Sequence, residues 1–356
     1  MNLDSVLEKC IESGDLSRDE ILYLLNLDTK DGFDRLIAAG DEVRRRYVGD
    51  EVHIRALVEF SNVCARHCDY CGLRAPNTNV ERYRMSPDEI VELAVHLRAK
   101  GLMTLVLQSG EDPHYTGEMI ADIVRRVKSA ADMAITLCVG ERSYEDYRMW
   151  KEAGADRYLL RHETASRELY RLLHPDSDFD NRMRCLHWLR ELGYQVGAGC
   201  MVGMPHQTVE HMADDIEFYR DFQPDMAGIG PFIPHPDTPL AGFPAGTLEM
   251  TLKMVALTRI VTRNALLPAT TAIGSIDDLG REKALEAGAD VVMPNYTPLK
   301  YRVHYEIYPN KRCISEDPEH CHGCMRMRIQ SVGRTVSTAH GHSRKRPCAA
   351  AGTSNS

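Results

Sequence analysis

Eight short apolar runs alternate with stretches of helical spacing through the middle of the chain, and this alternation predicts an α/β fold closed as a (β/α)8 barrel of the TIM type. The runs are residues 53–60, 103–109, 133–139, 157–161, 194–201, 226–232, 267–271 and 290–294. They lie within residues 51 to 300, matching the roughly 250 residues such a barrel takes. A repeated connector adds support: Ala153-Gly154-Ala155-Asp156 returns as Ala287-Gly288-Ala289-Asp290, each time leading a helix into a strand.

Residues 1–50 come first and read as a helical extension. Apolar stripes at Leu3, Val6, Leu7 and Cys10, and again at Ile21, Leu24 and Leu25, should pack it against the barrel. Within the barrel the segment 87–98 has a strong helix start, with Ser86 as N-cap, Pro87 at the first position and Glu89 three residues after the cap. Gly193 and Gly288 stand just past the helices expected at 181–192 and 282–287, where a left-handed residue ends a helix. Residues 301–356 form a C-terminal extension that bears cysteines and turns polar after about residue 330. Ser343-Arg344-Lys345-Arg346-Pro347 reads as a basic patch in a frayed tail. An open doubly wound sheet is the rival architecture. Its Gly-rich phosphate turn after the first strand is missing, because a cysteine-rich loop stands there.

Composition narrows the function. Hydrophobic residues make up 43% and charged residues 27%, as in ordinary globular chains. Lys and Arg total 43 against 52 Asp and Glu, a formal charge of −9, which argues against nucleic acid as a partner. No apolar run reaches the roughly 18 residues of a membrane span. The start lacks the basic and apolar regions of a signal peptide, so a cytoplasmic location is expected. In that reducing compartment the 11 cysteines are not a disulfide framework.

Six of those cysteines fall into two groups. Cys64, Cys68 and Cys71 sit in a C-x3-C-x2-C loop after the first strand, at the barrel mouth where active sites gather. Zinc prefers four ligands and a [4Fe–4S] cluster normally takes four thiolates, so three leave one iron open. Cys313, Cys321 and Cys324, spaced C-x7-C-x2-C, come after the barrel. His320 and His322 flank Cys321, and both an iron–sulfur centre and a Cys3His zinc site suit the set. Cys10, Cys138, Cys185, Cys200 and Cys348 are expected to be small core or incidental residues. His162, beside a residue pointing inward, should point outward and pack.

The motif Cys64-x3-Cys68-Asp69-Tyr70-Cys71 resembles that of the radical S-adenosylmethionine (SAM) enzymes. Several strand ends, Gln108-Ser109-Gly110-Glu111, Leu160-Arg161-His162-Glu163, Gly199-Cys200-Met201 and Met293-Pro294-Asn295, are similar to those of the HydE-type maturases of [FeFe]-hydrogenase. The resemblance covers about residues 30 to 330 and implies a [4Fe–4S] cluster whose open iron chelates SAM, with reductive cleavage to a 5′-deoxyadenosyl radical. It implies SAM contacts at Tyr70, Gln108, Ser109, Glu111, Arg161, Glu163, Arg182 and Met293, and an anion site of Thr136, Thr270 and Thr271. Tyr305 or Tyr308 would stand near the reacting centre. It also implies an accessory [2Fe–2S] or [4Fe–4S] cluster at the second cysteine group. The expected partners are a small organometallic or cysteine-derived substrate, such as an iron–carbonyl–cyanide–cysteine species, an electron donor such as ferredoxin or flavodoxin, and other hydrogenase maturases. Biotin synthase, methylornithine synthase and a non-catalytic iron–sulfur scaffold are the competing readings.

Overall fold

The computed structural model describes residues 1–314 and 318–345, except the side chains of 318–322. Six parallel strands form the main sheet. They are β2 (Ala56–Ser61), β3 (Thr104–Ser109), β4 (Ala134–Cys138), β5 (Arg157–Leu159), β6 (Gln195–Val202) and β7 (Met226–Pro231), paired in sequence order. β1 (Glu51–Ile54) precedes β2 and is separated from it only by Arg55, so the single strand expected at 53–60 is bent into two. β1 pairs in parallel with β8 (Val291–Val292). Isolated bridges complete the ring: Met226 to Leu266, Pro268 to Val291, and Asn295 to Leu57. Strand and helix alternate around this ring as the apolar pattern requires.

The seventh expected strand, 267–271, is the weakest match. Pro268 has no amide hydrogen for a ladder, and the Leu267 N–H donates to the Asp290 carboxylate at 2.6 Å. Thr270 is extended at the N-cap of a short helix, Thr271–Ile276. The strand therefore shrinks to bridges. The eighth shrinks to Val291–Val292, ahead of Pro294.

Along each strand, alternate residues face the barrel interior. Leu57 and Glu59, Val106 and Gln108, and Thr136 and Cys138 line it, while Val58, Phe60, Leu105 and Leu107 are buried outside it. Helix Pro87–Ala99 carries the expected capping box of Ser86 and Glu89. Helix Phe179–Glu191 is followed by Gly193 at φ +82°, and helix Gly280–Glu286 by Gly288 at φ +120°.

The N-terminal helices Leu3–Glu12, Arg18–Leu25 and Lys30–Tyr47 pack against the flank of the barrel. Gly40 permits this approach: a Cβ there would lie 2.6 Å from the Ala287 carbonyl oxygen and 2.9 Å from the Ala256 methyl. Helix Leu248–Thr262 is thus buried on almost every side. Its Lys253 reaches the carbonyl oxygens of Leu25, at 3.3 Å, and Leu27, capping the end of helix Arg18–Leu25.

The chain after residue 330 corrects the expectation of a frayed tail. Helix Pro318–Ser331 leads to β9 (Thr335–Val336), which pairs with β1. Residues 340–345 then lie beneath the barrel. Arg157, fully buried, donates to the carbonyls of His340 (2.6 Å) and Gly341 (2.8 Å), and Arg55 donates to Gly341 at 3.2 Å. Gln195 accepts from the Ser343 amide at 2.7 Å. Buried guanidinium groups need acceptors, and this segment supplies them from its backbone. Of the basic patch, Arg346 and Pro347 lie outside the described residues, as does Cys348.

Candidate functional site

The cysteine loop leaves the end of β2 and is clamped to the turn after β3. Ala65 N–H donates to the Glu111 carbonyl at 3.0 Å, and the amides of Arg66 and Glu111 point at Cys64 Sγ, at 3.5 and 3.4 Å. Gly110 makes the clamp possible, since a Cβ there would lie 2.3 Å from the Val63 carbonyl oxygen and 2.7 Å from Cys64 Cβ. Cys64 and Cys68 open on a chamber of about 320 Å³ inside the barrel mouth.

Burial raises all three thiols. Cys71 is pushed up to about 12, first by burial and then by Cys64, and Cys68 is held well above its ordinary value by burial and by its two sister thiols. The trio therefore resists becoming three bare thiolates. Three buried thiols ionise readily only against a cationic centre that neutralises them, which is the chemistry this donor set suits. The described cysteines carry no disulfide. Among the described residues no three His, Cys, Asp or Glu side chains are drawn together as a single-ion site would be.

The same chamber is lined by Tyr70, Gln108, Ser109, Glu111, Arg161, Glu163, Arg182 and Met293, together with Thr136, Thr270, Thr271, Tyr305 and Tyr308, whereas Gly199, Cys200 and Met201 lie outside it. On one wall, Arg66 pairs with Glu111 and approaches Glu141 at 3.5 Å, and Glu141 meets Arg182 at 2.7 Å. Arg182 also donates to the Arg161 carbonyl at 3.1 Å, and Arg161 donates to Glu163 at 3.1 Å. This chain of alternating charges leaves the guanidinium and carboxylate of Arg161 and Glu163 at the chamber surface, a pair suited to a zwitterion. Tyr70 is oriented from behind: its hydroxyl lies 2.9 Å from His174 Nε2, and His174 Nδ1 lies 2.9 Å from the Tyr170 carbonyl. Burial lowers His174 to about 4, so the ring is neutral, Nδ1–H donates to that carbonyl, and Nε2 accepts from Tyr70.

The chamber floor is polar. Thr136 Oγ1 is buried without a hydrogen-bond partner among the described residues, as is Nε of the buried Arg55. Thr270 donates to the Ile229 carbonyl at 3.2 Å, and Thr271 accepts from Arg281 at 3.3 Å. Tyr305 is buried, and its hydroxyl accepts from Gln108 at 3.2 Å. Lys311, paired with Glu59, lies over the Tyr305 ring at 4.9 Å. Asn295 holds the other Glu59 oxygen at 2.6 Å.

Several of these residues escaped the sequence reading: Arg55, Glu59, Lys311, Glu141 and His174. Arg55 and Glu59 did leave a signal, as charges inside an otherwise apolar run. Cys138 needs correction: it faces the chamber two residues after Thr136 rather than packing as a core residue, whereas Cys200 is fully buried outside. His162 points outward as expected. The second cysteine group is only partly described. Cys313 and Cys324 line a cavity of about 70 Å³ with Arg281, Arg312 and Arg328. Cys321 lies on helix Pro318–Ser331, and its side chain, like those of His320 and His322, is outside the described residues.

A parallel barrel with a three-cysteine loop at its mouth, leading into a largely apolar chamber that carries charged groups on one wall, is the architecture of a radical SAM enzyme, and the radical SAM superfamily profile matches residues 58–219. The [FeFe] hydrogenase maturase subunit HydE of Thermotoga maritima is 52% identical over 329 residues, covering 92% of this chain and 94% of the relative. The 3-methylornithine synthase of Methanosarcina acetivorans is 29% identical, covering 86% and 87%. Among solved structures, methylornithine synthase (PylB) superposes with a TM-score of 0.83 at 27% identity, covering 93% of this chain and 97% of that one. HydG from Carboxydothermus hydrogenoformans shares the fold, with a TM-score of 0.81 at 22% identity over 97% and 81%. The chain belongs to the HydE family of radical SAM hydrogenase maturases. That family membership implies a [4Fe–4S] cluster and SAM. No helix among the described residues is long and apolar enough to cross a membrane.

Proposed function

We propose that this chain acts in the cytoplasm on a small organometallic substrate, an iron–carbonyl–cyanide–cysteine species, during maturation of [FeFe]-hydrogenase, alongside other maturases and with a ferredoxin or flavodoxin as reductant. One observation carries the reading: the thiols of Cys64 and Cys68, zwitterion-matching charges and the unpartnered donors of Arg55 and Thr136 all open on one chamber. Cys64, Cys68 and Cys71 would hold the [4Fe–4S] cluster. When bound, the cluster and SAM supply a 5′-deoxyadenosyl radical.

The chain's own residues bind and orient. Arg161 offers a guanidinium to the SAM carboxylate, while Glu163, with Gln108, Ser109 and Glu111, offers acceptors to ammonium or ribose hydroxyls. Arg182 and Tyr70 hold that wall in place, and Met293 packs opposite. Arg55, Thr136 and Thr271 offer donors to an anionic group on the floor, and Thr270, whose hydroxyl is given to the Ile229 carbonyl, lines the same site. Tyr305 and Tyr308 line the chamber and would stand near the reacting centre, and burial favours the protonated form of both phenols. The accessory site would hold an iron–sulfur centre on Cys313, Cys321 and Cys324. Supporting this, Arg281, Arg312 and Arg328 line the cavity beside its two described thiols, with Arg312 paired to Asp278 and Arg328 to Glu282.

The test is anaerobic reconstitution with iron and sulfide, followed by SAM and dithionite. The reading expects 5′-deoxyadenosine from the native chain and none from Cys68→Ala. Equal yields would refute it. Gene deletion in a host with [FeFe]-hydrogenase should abolish hydrogenase activity. Iron per chain should fall in a Cys313/Cys321/Cys324 triple alanine variant if the accessory centre exists.

A further inference from the structure

The turn that carries Arg161 and Glu163 is built on an unusual backbone. Glu163 has φ +67°, in the left-handed region that side-chain-bearing residues seldom occupy. In this conformation Arg161 and Glu163 both face the chamber, and His162 between them points the other way. Two backbone bonds tie Glu163 to β6, from its amide to the Gly199 carbonyl (2.9 Å) and from the Met201 amide to its own carbonyl (3.2 Å). Neither requires the turn to continue as it does.

The segment after the turn is held from outside the barrel. Asp215, on helix Val209–Phe222, is fully buried, and so is His162. A single oxygen, Asp215 Oδ1, lies 3.2 Å from His162 Nε2 and 2.6 Å from the Ala165 amide. His162 Nδ1 accepts the Gly199 amide at 3.3 Å, which leaves the ring proton on Nε2 to be donated to Asp215. Phe218 and Tyr219 pack on the imidazole, with ring centroids at 4.3 and 5.3 Å. One carboxylate oxygen thus grips the chain both before and after Glu163. Packing alone would be served as well by an apolar pair of the same volume, because burying a carboxylate carries a desolvation cost that its hydrogen bonds do little more than offset. Fixing a strained turn at a binding wall is a task for which such a pair is suited.

We propose that Asp215, acting through His162 and the Ala165 amide, is a positioning residue that locks the left-handed turn at Glu163 and so presents Arg161 and Glu163 together to SAM. This rests on the reading of Arg161 and Glu163 as SAM contacts.

The experiment uses the anaerobically reconstituted full chain and measures SAM affinity by equilibrium dialysis, iron per chain, and the thermal midpoint. Asp215→Ala, and His162→Phe, which fills the same space without the bond, should each weaken SAM binding by about tenfold with iron unchanged. Asp215→Asn keeps an oxygen that accepts both bonds and should stay within about threefold of the native affinity. Native SAM affinity in Asp215→Ala and His162→Phe, even with a lowered midpoint, would show a merely structural pair and overturn the proposal. An Asp215→Asn variant as weak as Asp215→Ala would overturn it too, since charge rather than geometry would be at work. Arg161→Ala separates the two levels. If it binds SAM poorly while Asp215→Ala binds normally, the lock alone fails. If Arg161→Ala binds normally, the assignment of the wall fails and the proposal falls with it.

Discussion

Substituting Gly110 by alanine tests whether the cysteine loop is set by close backbone contact. The added methyl would sit 2.3 Å from the Val63 carbonyl oxygen and 2.7 Å from Cys64 Cβ. Ordinary contacts of this kind begin near 3.4 Å, so the loop or the β3 turn must move by roughly 1 Å. Neither neighbour is the free end of a flexible side chain. Overpacking of this size costs about 1–3 kcal/mol, and a displacement of about 1 Å at a reacting centre lowers turnover by roughly a hundredfold. Gly242→Ala is the control, because nothing lies within 4 Å of its added methyl. The assay compares iron per chain, 5′-deoxyadenosine yield and thermal midpoint in both variants. Gly110→Ala should lose yield by one to two orders of magnitude, with Gly242→Ala unchanged. Native iron and native yield in Gly110→Ala would refute the claim that this contact places Cys64.

Three further outcomes are expected. Thr136→Val removes a buried hydroxyl that has no partner among the described residues, so the thermal midpoint should hold or rise while turnover of the reconstituted enzyme falls; a lowered midpoint with intact turnover would make Thr136 a structural residue. Lys311→Met strands the buried Glu59 carboxylate and should destabilise by about 3–5 kcal/mol, whereas the Glu59→Leu/Lys311→Met pair should recover most of that loss in a urea titration. His53 is buried and lowered to about 3, chiefly by burial and then by Arg55 and Arg157. Its folded pKa is below the unfolded value, so the unfolded chain binds the proton first. The stability it contributes is whole above pH 6.5 and falls as pH drops towards 3, at up to about 1.4 kcal/mol per unit. Urea midpoints at about pH 7, 5.5 and 4.5 should show a flatter decline in His53→Gln.

The barrel was legible because its strands are buried on both faces and announce themselves as apolar runs. Legibility failed where that pattern was interrupted. Residues 267–271 look like a strand, yet Pro268, without an amide hydrogen, makes only a single bridge, to Val291, and Asp290 takes the neighbouring amide. The polar segment 340–345 looked like a tail because its role depends on backbone carbonyls, which every residue has, meeting Arg55 and Arg157 from far earlier in the chain. Cys138 was within reach of sequence reasoning: two residues after an inward Thr136, it had to face inward as well.

The sequence alone determined the strand-and-helix order, the three-thiol loop and its place after the first strand, since these are local facts of spacing and periodicity. It also carried the family resemblance, because the strand-end residues that face the chamber are themselves the motif. Only the tertiary structure decided which charges share that chamber. Glu59 meets Lys311 across 252 positions, Asp215 grips both sides of Glu163, and residues 340–345 close the barrel floor. Each is a buried polar group whose partner is remote in the chain, and burial makes such pairing obligatory without any local pattern announcing it.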